Sequence, residues 1–218
     1  MRGSEPLAAA MSSRRPDPQA RTAPSRDGRS RSAARDRVLE AAYELFSRHG
    51  IRAVGVDAVI ARSGVAKMTL YRHFASKDAL VLEFLREREA RWTVEWLQGA
   101  VEARASDPAE RLLAVFDVFD PWFRRDDFEG CAFINVLLET ADAASPIHQA
   151  SADHLANIRA FLAAQAAGAG ARDPDALARE LHILMKGSII AAGEGDREAA
   201  RRAQGMARLV LRERGLAV

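Results

Sequence analysis

Between residues 66 and 77 the chain collects side chains that donate hydrogen bonds: Lys67, Thr69, Tyr71, Arg72, His73 and Lys77. Such donors suit phosphate oxygens and the acceptor-rich edges of bases in a DNA major groove. Leu70 and Phe74 lie four residues apart and would share the other face of a helix. A polar outer face over an apolar inner one is what a groove-reading helix needs. The plainer alternative has Tyr71 and His73 packing at a helix junction and Lys77 solvated. Other chemistries find no candidates. No nucleophile sits beside a base, no Gly-rich loop could cradle phosphate, and no carboxylates pair in a plausible cleft, so no enzyme is expected. His148, His154 and His182 do not share metal-ligand spacing, and a single Cys131 cannot build a zinc site or an internal disulfide. No metal and no cofactor are expected.

The elements that must position these residues follow from periodicity. Val38, Ala41, Ala42, Leu45 and Phe46 make one helical face, and Gly50 fits a stop beyond it. A short helix over about Val56 to Ser63 is closed by Gly64, which can take positive φ without Cβ strain. A second short helix covers Ala66 to His73. Neither repays its own nucleation, so both must dock, through Val56, Val59, Val65, Leu70 and Phe74. Ser76 then caps a long helix, with Asp78 in its first turn, that runs to about Leu97 with Val81, Phe84, Leu85, Trp92 and Trp96 as its stripe. Asp107-Pro108, Ser145-Pro146 and Asp173-Pro174 each set a capping oxygen before a proline suited to the first helical position. A last helix starts after Asp196. The expected fold is all-α, with about nine helices.

The 218 residues are 48% hydrophobic and 28% charged, ordinary globular proportions. Net charge is only +2, so composition alone does not announce nucleic acid. Cations are almost all arginine, yet two of the three lysines, Lys67 and Lys77, fall in the donor-rich segment. The third is Lys186. No run of 18 or more apolar residues exists, so no membrane span is expected. Arg14-Arg15 precede Pro16-Asp17-Pro18 instead of an apolar core, which argues against a twin-arginine signal. A reducing cytoplasm fits the lone cysteine. Residues 1–31 lack a hydrophobic period and read as a disordered basic tail. Its Arg21, Arg26, Arg29 and Arg31 are either a solvated tail or an arm onto DNA. The expected domains are that tail, a helix-turn-helix over 32–78, and a helical body over 79–218.

From Ala33 to about Leu82 the chain resembles the DNA-binding domain of the TetR family of transcriptional regulators. Arg37-Val-Leu-Glu-Ala-Ala-Tyr-Glu-Leu-Phe46 with Gly50 matches the family's opening helix. Thr69-Leu-Tyr-Arg-His-Phe74 with Ser76-Lys77 matches its recognition helix and the start of its fourth. The resemblance implies that Thr69, Tyr71, His73 and Lys77 hold phosphates, while Lys67, Met68 and Arg72 reach base edges. Gly55 stands where Thr or Ser often caps the second helix. It keeps the position at the DNA but loses the side-chain contact. Ala66 likewise replaces a frequent Ser.

The remainder is less specific. Gly130-Cys-Ala-Phe-Ile-Asn135 resembles a Gly-Cys-x-Phe-x-Asn motif of one TetR subgroup. The family analogy implies a cavity for a small lipophilic effector, for which Phe116, Phe119, Phe123, Phe133, Asn135, Glu139, His154 and Met185 are candidates. Plain core is the alternative for each. Pro121 should kink or end its helix. Two closing helices carry apolar stripes, Leu177, Leu181, Leu184, Ser188 and Ala191 on one and Ala199, Ala203, Met206 and Val210 on the other. Paired across a homodimer they would form a four-helix bundle. Such a dimer would set two recognition helices about 34–36 Å apart and bind a palindromic double-stranded operator. The expected function is a ligand-released, DNA-binding repressor. A ligand-binding protein that has lost its operator is the rival reading.

Overall fold

The computed structural model describes residues 26–218, with side chains from residue 32 onward. The basic tail therefore lies outside the described residues, apart from the backbone of 26–31. Among those residues there are nine helices and no strand. They are α1 (Arg26–Ala53), α2 (Val56–Ser63), α3 (Lys67–His73), α4 (77–104), α5 (Pro108–Phe123), α6 (Ala132–Glu139), α7 (Pro146–Gly168), α8 (Pro174–Gly193) and α9 (Ala199–Glu213).

The helix starts obey local chemistry. Ser76 Oγ accepts from the Ala79 amide at 3.0 Å. Asp107 accepts from Ala109 and Glu110 at 2.8 and 3.1 Å. Ser145 accepts from Ile147 at 3.3 Å and Asp173 from Ala176 at 3.0 Å. Each proline after these caps occupies the first turn, where its missing N–H costs nothing. Pro121 sits inside α5, which ends two residues later at Phe123.

Two elements differ from the expectation. The helical backbone of α1 reaches back to Arg26, ahead of the apolar period, and breaks at Gly50 (φ 78°, ψ 163°) before a last short turn. Helix α4 continues past Leu97 to Arg104, and over Glu89–Gln98 its backbone widens: the Gly99 amide reaches the Val94 carbonyl, five residues back. The wider turn explains the overrun, because it shifts the facing of every residue beyond it and the simple 3.6-residue stripe fades there.

Helices α1–α3 and the start of α4 form a head around Val38, Phe46, Val59, Leu70, Phe74 and Phe84, all buried. Helices α5 to α9 and the rest of α4 form the body. Helix α8 packs between α7 and α9, and α9 returns along α5. Helix α4 belongs to both parts, so no flexible linker separates them.

Candidate DNA interface

Helix α3 is held from beneath. Leu70 and Phe74 are 1% and 3% exposed, and burying two such side chains stabilises the docking by about 3–6 kcal/mol. Val59 and Val65 complete the seat from α2 and the turn. Gly64 adopts the left-handed conformation (φ 64°, ψ 24°), and its amide closes α2 on the Ile60 carbonyl at 3.0 Å. A side chain at that φ would be strained, so the turn between the helices depends on this glycine.

The opposite face of α3 is open. Met68 is 78% exposed, the most open large apolar side chain among the described residues, and Tyr71 is 41% exposed. Lys67 and Arg72 are exposed, while Thr69, His73 and Lys77 are half-buried. Lys67 Nζ lies 3.4 Å from Asp57 on α2, an exposed pair that phosphate could outcompete. Arg35 stacks over the Phe74 ring at 5.4 Å and pairs with Glu83, fixing α1 against the α3–α4 junction. Gly55 and Ala66 precede α2 and α3 without side-chain caps. The amides at those helix starts are left for another acceptor, which a phosphate can be. Of the residues expected from sequence to meet DNA, Lys67, Met68, Tyr71 and Arg72 are exposed on α3, and Gly55 precedes an uncapped helix start.

Residues 38–84 match the profile of bacterial regulatory proteins of the tetR family. Residues 108–206 match that of a tetracyclin repressor-like C-terminal domain. A solved TetR-family transcriptional regulator from Streptomyces coelicolor is 31% identical, with a TM-score of 0.76 over 84% of this chain and 96% of that one. The chain belongs to the TetR family.

Two curated relatives match part of the chain. The transcriptional activator FasR of Mycolicibacterium smegmatis is 34% identical over 96 residues, which is 44% of this chain and 43% of that protein. The transcriptional repressor KstR2 of the same species is 31% identical over 88 residues, 39% and 40% of the two. The chain spans less than half the length of these curated relatives. As a member of the TetR family it is a DNA-binding transcriptional regulator. Among the described residues, no helix is long and apolar enough to cross a membrane.

The body of this TetR-family chain treats the effector candidates unevenly. Phe116, Phe119, Phe123, Phe133 and Met185 are buried in continuous core. Asn135 Nδ2 donates to the Glu129 carbonyl at 3.2 Å. Glu139 Oε2 accepts the Arg52 amide at 2.8 Å, across the boundary between body and head. His154 stacks on Phe133, ring centroids 5.0 Å apart, and its Nδ1 lies 2.8 Å from Glu89 without hydrogen-bond alignment. Phe123 and Asn135 meet in a 450 Å³ cavity between the α5–α6 loop and the end of α8. Asn135 and Glu139 also line a 650 Å³ cleft against Ser47, Arg48 and His49 of the head. Phe116, Phe119, Phe133, His154 and Met185 line neither.

The dimer candidates divide similarly. Leu177, Leu181, Ser188, Ala199 and Ala203 are buried within the protomer. Leu184, Ala191 and Val210 are half-buried, and Met206 is exposed. The outward apolar face is the neighbouring one: Ile183 and Ile190 on α8 (63% and 48% exposed), Met206 and Leu209 on α9 (55% and 66%). Gly187 and Gly205 lie among them with open space where a Cβ would stand. Of the residues expected from sequence at a dimer surface, Met206 lies on this outward face, while the buried ones face into the protomer; an inward stripe and an outward one have the same period.

Proposed function

We propose that the protein is an effector-released repressor that binds a palindromic operator as a homodimer. The observation that carries this reading is the exposed Lys67, Met68, Tyr71 and Arg72 face on a helix whose other side is locked by Leu70 and Phe74. A surface Met beside cations has no structural task, and it suits contact with a thymine methyl. Lys67, Met68 and Arg72 read bases. Thr69, Tyr71, His73 and Lys77, with the backbone at Gly55, hold phosphates and fix register. The open stripe of Ile183, Ile190, Met206 and Leu209 supports pairing of two copies through α8 and α9, with the small residues allowing close approach.

Release works by population shift. Several side-chain contacts tie the head to the body. Arg88 of α4 donates to Tyr43 Oη and Ser47 Oγ of α1 at 3.1 and 3.3 Å. Arg91 donates to Glu40 at 2.8 Å. Glu139 accepts from Arg52. An effector that prefers a different setting of α4 changes head spacing, and weakens DNA binding by its differential affinity for the two settings.

Fluorescence polarisation with DNA from upstream of the protein's own coding sequence tests the reading. Specific affinity at least about 10³ above that for scrambled duplex is expected. Equal affinity for both would leave a ligand-binding protein without an operator.

A further inference from the structure

A groove of about 630 Å³ runs between the widened part of α4 and the end of α5, beneath Tyr43 of the head. That volume lies in the range of small-molecule sites. None of the residues assigned to an effector cavity from sequence lines it. All three tryptophans of the chain do: Trp92, Trp96 and Trp122, with ring centroids 5.2–5.5 Å apart. Trp92 is the most buried of the three, at 8% exposure, and its indole N–H has no acceptor. An indole N–H withdrawn from water without a partner costs stability.

The charges of the groove are lopsided. Arg125 is held bidentately by Asp127 at 2.7 Å, and Glu129 faces Arg48 at 3.6 Å. Arg88 and Arg104 also line it, and among the described residues neither has a carboxylate partner. Arg88 lies one turn before Trp92 and makes only neutral bonds, to Tyr43 and Ser47. Three clustered indoles beside a guanidinium with no carboxylate partner suit a ligand with a flat aromatic body and one carboxylate.

We infer that this groove binds a planar aromatic carboxylate through Trp92, Trp96 and Arg88, and that the ligand acts on the head by drawing Arg88 away from Tyr43 and Ser47. The second clause rests on the ligand-released reading above; the first does not. The widened backbone of Glu89–Gln98 sets both Trp92 and Trp96 along the groove and gives α4 a segment that can tighten or relax by one residue. No groove residue lies on α8 or α9, so pairing through those helices leaves the groove open.

Because every tryptophan is in the groove, intrinsic fluorescence of the full chain reports this site alone. The probes are 4-biphenylcarboxylate and its neutral twin 4-biphenylcarboxamide, with excitation at the red edge of indole absorption. Saturable quenching is expected, with the carboxylate about tenfold or more tighter than the amide. Arg88→Gln should remove that difference, and Trp96→Ala, at a half-buried rim position, should weaken both probes. Arg88→Lys is the substitute if Arg88→Gln fails to melt cooperatively. It keeps the charge but not the fork, and should bind the carboxylate more weakly than wild type. Polarisation with upstream DNA then reads release, expected in wild type and absent in the Arg88 variant. No saturable quenching by about 1 mM, equal affinity for the two probes, or quenching untouched by both substitutions would overturn the groove. Carboxylate binding in a protein that ignores its upstream DNA would uphold the groove and sink the operator reading instead.

Discussion

Gly50→Ala isolates the contact between head and body. Gly50 sits at φ 78° and ψ 163°, a region that L-residues with a side chain scarcely populate. Forcing alanine there costs about 1–3 kcal/mol of backbone strain. The new Cβ would also stand 2.4 Å from Glu139 Oε1, so the carboxylate must swing away. The Arg52 amide then loses its 2.8 Å acceptor, worth about 1 kcal/mol at this exposed position. Together the substitution should cost about 2–4 kcal/mol, a large share of a domain's net stability.

Glu139→Ala alone should cost only the hydrogen bond, about 1 kcal/mol. In the double variant the Cβ meets no carboxylate, and the bond is lost once. The two single effects should therefore sum to about 1 kcal/mol more than the double. Urea unfolding followed by circular dichroism measures all three, at one fixed protein concentration because dimerisation would couple stability to it. A Gly50→Ala cost below about 0.5 kcal/mol would refute both the strain and the latch, and strict additivity would refute the latch.

The remaining predictions address the interface, the dimer and two buried groups. Lys77→Ala should weaken binding to every DNA sequence and flatten the salt dependence by about one unit, whereas Arg72→Ala should relax base preference at one position by about 1–3 kcal/mol; competition binding across salt separates them. Leu209→Glu should convert the proposed dimer to the 23.8 kDa chain in sedimentation, while Leu177→Glu, inside the protomer, should unfold it. Burial, with Lys186 and Arg159 nearby, pushes the His182 imidazole down from 6.5 to about 4. Its folded form binds its proton less readily than its unfolded form, so its contribution is intact above pH 6.5 and is lost as pH falls towards 4. Wild type should lose on the order of 3 kcal/mol more than His182→Gln across that window, measured by urea titration at each pH. Burial raises the Cys131 thiol pKa, so maleimide should label it only after unfolding.

The head was legible in sequence because its signals are local. A Ser or Asp before a helix, a glycine at Gly64, and the four-residue step from Leu70 to Phe74 each carry their meaning within one turn of chain. The docking of α3 follows, since a seven-residue helix with two large apolar side chains on one face has only one way to bury them. The widening of α4 carried no such signal. Trp92 and Trp96 fit an ordinary helical step, and only contact with Trp122 and Phe119 from α5 shows that they face sideways into a groove. Nor did Glu139 announce itself: its partner is the backbone of Arg52, 87 residues away, and a backbone amide leaves no trace in residue type.

The stripe proposed for the dimer shows a deeper limit. On α8, Leu177, Leu181, Met185 and Ser188 are buried, and Ile183 and Ile190 lie outside on the adjacent face. A helix that packs inward on one side and meets a second copy on the other is apolar over most of its circumference, so its periodicity is weak where the reading matters most. Charge does not settle it either, since Lys186 and Glu180 border the same surface half-buried. What distinguishes the two faces is the presence of α5 and α7, which cover one and leave the other to water. An exposed run of Ile183, Ile190, Met206 and Leu209 beside two open glycines then has to be covered by something that fits a flat pair of helices, and another pair like it is the simplest such cover.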